Sequence, residues 1–169
     1  VVAGIAVMLT SLPWIDPLKA FLNAASGRTA MIGVCFGHQV MAEAFGGRVI
    51  KSPKGWGVGL HRYAASGEGW LSGLDSLVVA ASHQDQVVEL PEGARVVAGS
   101  DFTPFGALHY PGRRAISIQL HPEFTPDYAR ALVEARRGSR YTDEQADAAL
   151  ASYAVANDRL EVGRRLRRL

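Results

Sequence analysis

The sequence predicts an α/β domain: a mostly parallel sheet flanked by helices, with an antiparallel hairpin extension. Three observations carry this. Apolar strand-like runs alternate with stretches whose apolar residues recur at helical spacing. The segment Gly33-Val34-Cys35-Phe36-Gly37-His38-Gln39 joins one such run directly to one such helix. Pro111-Gly112 sits between two further apolar runs, the mark of a hairpin.

Taken in order, residues 1–4 read as a short strand and residues 13–25 as a helix with Trp14, Leu18, Phe21 and Leu22 inward. Residues 30–34 form the next strand and residues 38–45 its helix, closed by Gly46-Gly47. Residues 48–51 and 58–63 are strands around the Pro53-Lys54-Gly55-Trp56-Gly57 turn, with Trp56 as a packing residue. Residues 77–82, 95–99, 105–110 and 115–120 alternate or run apolar as strands do. Thr125-Pro126 opens a helix with proline at its first position. A capping box from Thr142 to Gln145 starts a C-terminal helix of about residues 142–168, with Leu150, Tyr153, Ala154 and Leu160 as its apolar side.

Composition fits a single compact domain over residues 1–169. With 169 residues and 48% apolar content, the chain can bury a substantial core. Net charge is +2, from 18 basic and 16 acidic residues, so the balance suggests neither nucleic acid nor a membrane surface as partner. One cysteine forbids an internal disulfide and suits a reducing, cytoplasmic compartment. The apolar start is too short to span a bilayer and lacks the basic flank of a signal peptide. No His/Cys/Asp/Glu group has metal-ligand spacing and no Gly-rich loop has phosphate-binding form, so no metal or cofactor is expected.

The chemistry gathers at two motifs. A cysteine between Gly33 and Gly37 at a strand-to-helix turn is the sequence form of a nucleophile elbow. The sharp turn brings strand and helix backbones together where side chains would collide. It also aims the helix N-terminus at the sulfur, which favours thiolate. Alone, Cys35 reads equally as a small buried core residue. The second motif is Gln119-Leu120-His121-Pro122-Glu123-Phe124. A thiol nucleophile needs a base, and the base needs a carboxylate to fix its tautomer. His121 and Glu123, spaced by a proline that holds its neighbour extended, supply both.

Together the two motifs resemble the triad, or class I, glutamine amidotransferases, above all the glutaminase domain of GMP synthase and its stand-alone relatives. The resemblance extends to Gly46-Gly47 and Ser82-His83-Gln84-Asp85, and fades over residues 1–12 and beyond about 137. It implies a three-layer, flavodoxin-like fold and hydrolysis of the glutamine side-chain amide through a Cys-bound glutamyl thioester. Cys35 then matches the nucleophile, His121 the base and acid, and Glu123 the orienting carboxylate. The backbone N–H groups of Phe36 and Ile5 match the oxyanion hole, although Val2-Ala3-Gly4-Ile5 departs from the family's Ser-Gly-Gly or Ser-Gly-Ser. Gln39 and the loop of Ser82, His83, Gln84 and Asp85 match the substrate contacts. Strands that precede this segment in the family are expected to lie ahead of Val1.

Other histidines compete less well. His38 follows the helix surface and does not easily reach over the sulfur, His83 fits the substrate loop, and His61 and His109 lie in strand patterns. Asp75, Glu89 and Asp101 read as surface acids. Arg159, Arg164, Arg165, Arg167 and Arg168 make the tail basic, as suits a helix C-terminus or a docking synthase subunit. Two function classes follow: a cysteine amidohydrolase, acting on glutamine with ammonia passed to a partner or on a γ-glutamyl peptide; or a silent binding module, against which the intact Cys35, His121 and Glu123 argue.

Overall fold

A computed structural model describes the backbone of residues 2–4 and all of residues 12–168. Expectations resting on Ile5 lie outside the described residues. The main sheet has seven strands in the order β1-β2-β9-β8-β7-β4-β5: β1 Val2–Gly4, β2 Met31–Cys35, β4 Gly57–Ala65, β5 Ser76–His83, β7 Arg95–Gly99, β8 Ala107–Tyr110 and β9 Ala115–Ile118. β3 Arg48–Lys51 and β6 Asp85–Glu89 form a separate two-stranded sheet.

The α/β class holds, and the hairpin lies where expected, between β8 and β9. The balance of strand directions differs. Among the described residues, only β1 with β2 and β2 with β9 pair in parallel; the pairings from β9 out to β5 are antiparallel. Parallel neighbours need a long crossover, which α1 (Ile15–Ala25) provides between β1 and β2. Consecutive strands with short returns, such as β4 and β5, instead pair antiparallel, and these two do so over their whole common length from Gly57↔His83 to Ala64↔Ser76. β6 itself falls partly on the expected substrate loop, because Asp85 to Glu89 offers only Val87 and Val88 as apolar signal.

Helices cover both faces. α1 and α2 (Phe36–Ala44) bury Ile15, Leu22, Val40, Met41 and Phe45 against Met31, Leu108 and Tyr110. On the opposite face Val34, Tyr63, Leu77, Val79, Ile118 and Leu120 pack with Val162 of α5 (Arg159–Leu166). Helices α3 (Pro126–Arg136) and α4 (Asp143–Ser152) lie over the outer strands, with Ala129, Val133, Ala146 and Ala149 buried. Trp56 packs edge-on against Tyr141 at 5.5 Å and beneath Arg140.

Two expectations about helices are corrected. Helical spacing places Trp14 and Phe21 inward, but they are 46% and 66% exposed. α1 buries Ile15 and Leu22, two turns apart, and Phe21 lies a full 100° step from that seam. The single C-terminal helix is two helices, with the Thr142–Gln145 capping box starting the first. The break is held by Asp158, whose N–H donates to Val78 O at 2.8 Å and whose Oδ2 accepts from Val78 N at 2.7 Å. Asp158 thus occupies the outer edge of β5, and the new helical phase buries Val162 while leaving Leu160 61% exposed.

Candidate active site

Cys35 ends β2 and caps α2, which begins at the next residue. Its φ of 51° and ψ of −103° are strained for a non-glycine residue. The surrounding packing enforces that geometry. A Cβ on Gly33 would stand 2.6 Å from the Gly37 carbonyl oxygen and 2.6 Å from Met41 Sδ, so strand and helix can meet only if residue 33 lacks a side chain. The thiol is buried at the N-terminus of the helix, where the aligned peptide dipoles favour negative charge.

His121 follows β9 and is fixed from both sides. Its N–H donates to Ala80 O at 2.9 Å, and its ring stacks on Phe124 with centroids 4.1 Å apart. Nδ1 donates to Glu123 Oε1 at 2.7 Å, which leaves Nε2 as the nitrogen available to the sulfur. Burial opposes charge on the ring. Interaction with the Cys35 side chain and with Glu123 outweighs it and pushes His121 from 6.5 up to about 9. The structure therefore brings Cys35, His121 and Glu123 together from two motifs far apart in sequence. Chemically, a strained thiol at a helix N-terminus beside a carboxylate-oriented imidazole can attack a carbonyl carbon and protonate a leaving amine. Glu123, with its side chain 45% exposed, also lines a cleft of about 430 Å3 between β2 and α5.

The expected substrate residues divide. Gln39 is fully buried and donates through Nε2 to Asp85 O at 2.8 Å and to Gln119 Oε1 at 3.1 Å. Ser82 faces away, its hydroxyl accepting from Arg136 at 2.9 Å and lying 3.2 Å from Tyr141 OH. His83 is buried beside Thr103, Phe102 and Gly57, and burial pushes it down to about 3. Gln84 uses its carbonyl to accept from Ser52 N. The link from this loop to the elbow is thus the Asp85 backbone. Phe36, whose N–H is the expected oxyanion donor, is buried and packs on Trp14 at 5.6 Å.

His38 is separate from this group. Its Nδ1 lies 2.8 Å from Ser117 Oγ, which in turn lies 3.0 Å from Tyr110 OH, and burial holds the ring neutral with a value pushed down to about 3. Gln119 opens the second motif but has no role assigned from sequence; its Nε2 donates to Cys35 Sγ at 3.6 Å. Ser117 is equally polar within residues 115–120, so polarity in that run does not single Gln119 out. Among the described residues no group of three His, Cys, Asp or Glu could hold a metal ion, and no helix is long and apolar enough to cross a membrane.

Comparison with known proteins gives concordant results. The family model for class-I glutamine amidotransferases matches residues 15–136. A glutamine amidotransferase-like protein of Schizosaccharomyces pombe is 32% identical over 144 residues, covering 82% of this chain and 57% of that protein. One component of the glutamine-hydrolysing GMP synthase of Methanopyrus kandleri is 35% identical over 112 residues, covering 62% of this chain and 57% of that protein. The chain thus spans little more than half the length of these relatives. A solved glutamine amidotransferase of Thermotoga maritima superposes with a TM-score of 0.78 at 19% identity, over 97% of this chain and 72% of that one, and so shares the fold.

Proposed function

We propose, for a chain that belongs to the class-I glutamine amidotransferase family, that it hydrolyses the side-chain amide of glutamine to glutamate and ammonia. The observation that carries the reading is the imidazole of His121, held by Glu123 at 2.7 Å and raised in proton affinity beside the strained Cys35.

In this reading residues 1–169 act as one glutaminase domain. Cys35 thiolate attacks the amide carbon, and the developing oxyanion is met by the Phe36 N–H. His121 gives its proton to the leaving nitrogen, ammonia departs, and a glutamyl thioester remains on Cys35. Water then attacks the thioester while His121 takes its proton, and glutamate leaves with the thiolate restored. Glu123 keeps Nδ1 protonated and balances the imidazolium throughout. Gln39, Asp85 and the neighbouring Ser82, His83 and Gln84 backbone are the proposed glutamine contacts, and the reaction needs no cofactor.

The Methanopyrus relative is one component of a multi-subunit synthase. By analogy, ammonia made here passes to a separate synthase partner, in the cytoplasm. The test is ammonia and glutamate release from glutamine and, in parallel, from γ-glutamyl dipeptides, with Cys35→Ala as control. Turnover of glutamine that rises when a synthase partner is added supports the proposal. Turnover of dipeptides with none of glutamine would make the chain a γ-glutamyl peptide hydrolase, and inactivity on both would make it a binding module.

A further inference from the structure

A buried line of amide groups connects the β6 backbone to the nucleophile, and its polarity is forced from one end. The Asp85 carbonyl can only accept, so the 2.8 Å contact turns Gln39 with its NH2 toward that oxygen. The same nitrogen lies 3.1 Å from the Gln119 amide, which must therefore present oxygen. Gln119 then has its own NH2 left for the Cys35 sulfur, 3.6 Å away. Both glutamines are fully buried, so bulk water does not compete for these bonds. The Gln119 backbone is pinned as well, its N–H donating to Gly106 O at 2.8 Å.

We propose that Gln119 is a further catalytic residue of this site: an N–H donor locked toward Cys35 Sγ by Gln39 and the Asp85 carbonyl, stabilising thiolate over thiol. A donor at sulfur gains most when the sulfur is charged. The lock also fixes Gln39 with its Oε1 buried and without a partner among the described residues. Other titratable groups near the sulfur do not duplicate the role. His121, with Glu123 behind it, is the proton carrier. Burial pushes His38 on α2 and His83 on β5 down to about 3, and Asp85 meets the network through its backbone.

The inference rests on the reading of Cys35 as nucleophile, but its test requires no substrate. Cys35 is the only cysteine, so the ultraviolet absorbance of thiolate, with Cys35→Ala as blank, reports this sulfur alone. Gln119→Met removes both hydrogen bonds at similar volume, and Gln119→Glu replaces the donor by an acceptor. At the pH where the parental thiol is half ionised, the thiolate-to-thiol ratio should fall roughly three- to tenfold in Gln119→Met and further in Gln119→Glu. Alkylation by iodoacetamide should slow in parallel. Gln39→Met does not touch the sulfur, yet it frees the Gln119 amide to turn and should lower the thiolate fraction by a smaller factor. A Gln119→Met protein with the parental melting curve and the parental thiolate fraction overturns the proposal. If that variant does not fold, an unchanged thiolate fraction in Gln39→Met overturns it. A protein that turns over γ-glutamyl dipeptides but not glutamine, and whose variants still lose thiolate, would refute the proposed function and leave this inference standing.

Discussion

Replacing Glu123 by Gln keeps the shape of the side chain and removes its charge from His121. His121 is 8% exposed, and its rise from 6.5 to about 9 is made against burial, by Cys35 and Glu123 together. That rise corresponds to about 3 kcal/mol of preference for imidazolium in the folded state. The Glu123 side chain is 45% exposed, so solvent screening limits its share to about 1 kcal/mol. The His121 midpoint should therefore fall by roughly 0.7 pH units in Glu123→Gln. Because the folded value lies above the unfolded one, the stabilisation is complete below pH 6.5 and is lost as pH climbs through 9. The variant should be less stable than its parent by about 1 kcal/mol at pH 6, and the gap should close by pH 9 and above. Ring titration by NMR gives the midpoint, and urea unfolding across this pH range gives the gap. A His121 midpoint unmoved by the substitution, or a gap that widens as pH rises, would refute the electrostatic account of this pair.

Gly33→Ala places a methyl group 2.6 Å from a backbone carbonyl that cannot move without opening the elbow, and should cost about 3 kcal/mol, read as a loss of roughly 10 °C in Tm; an unchanged Tm would contradict the close approach. Asp158→Ala removes the acceptor for Val78 N at the edge of β5 and should cost about 1–2 kcal/mol in urea unfolding, with α5 fraying first in hydrogen exchange. Ser82→Ala should lower stability by about 1 kcal/mol through loss of the Arg136 bond while leaving the KM for glutamine unchanged. A raised KM there would mean that the hydroxyl, not the backbone, meets the substrate.

The elbow and the His121-Pro122-Glu123 segment are legible in the sequence because their chemistry is local: a cysteine flanked by glycines, and a carboxylate two residues from an imidazole. Gly33 even advertises the carbonyl it must clear. The link between Gln39 and Gln119 is not legible, because the two residues stand 80 apart in sequence and meet only across the sheet. Sequence pattern also overstates the parallel share of the sheet. Apolar runs such as residues 77–82 look alike in either direction, and only the connection lengths decide. The break before α5 is hidden for a similar reason. Val78 needs the Asp158 carboxylate, and that acceptor lies 80 residues further along the chain. The side-chain directions of Ser82 and His83 follow from strand alternation in β5, which continues two residues into the stretch that reads as a loop.

The most direct test of the central claim is covalent capture of the nucleophile. A diazo-ketone analogue of glutamine should add once to the intact chain, at Cys35 alone, and glutamine should protect against the addition in proportion to its occupancy. The adduct should vanish in Cys35→Ala, and its rate should fall by orders of magnitude in His121→Ala. Modification at any residue other than Cys35, or labelling of Cys35 that saturating glutamine does not slow, would contradict the account.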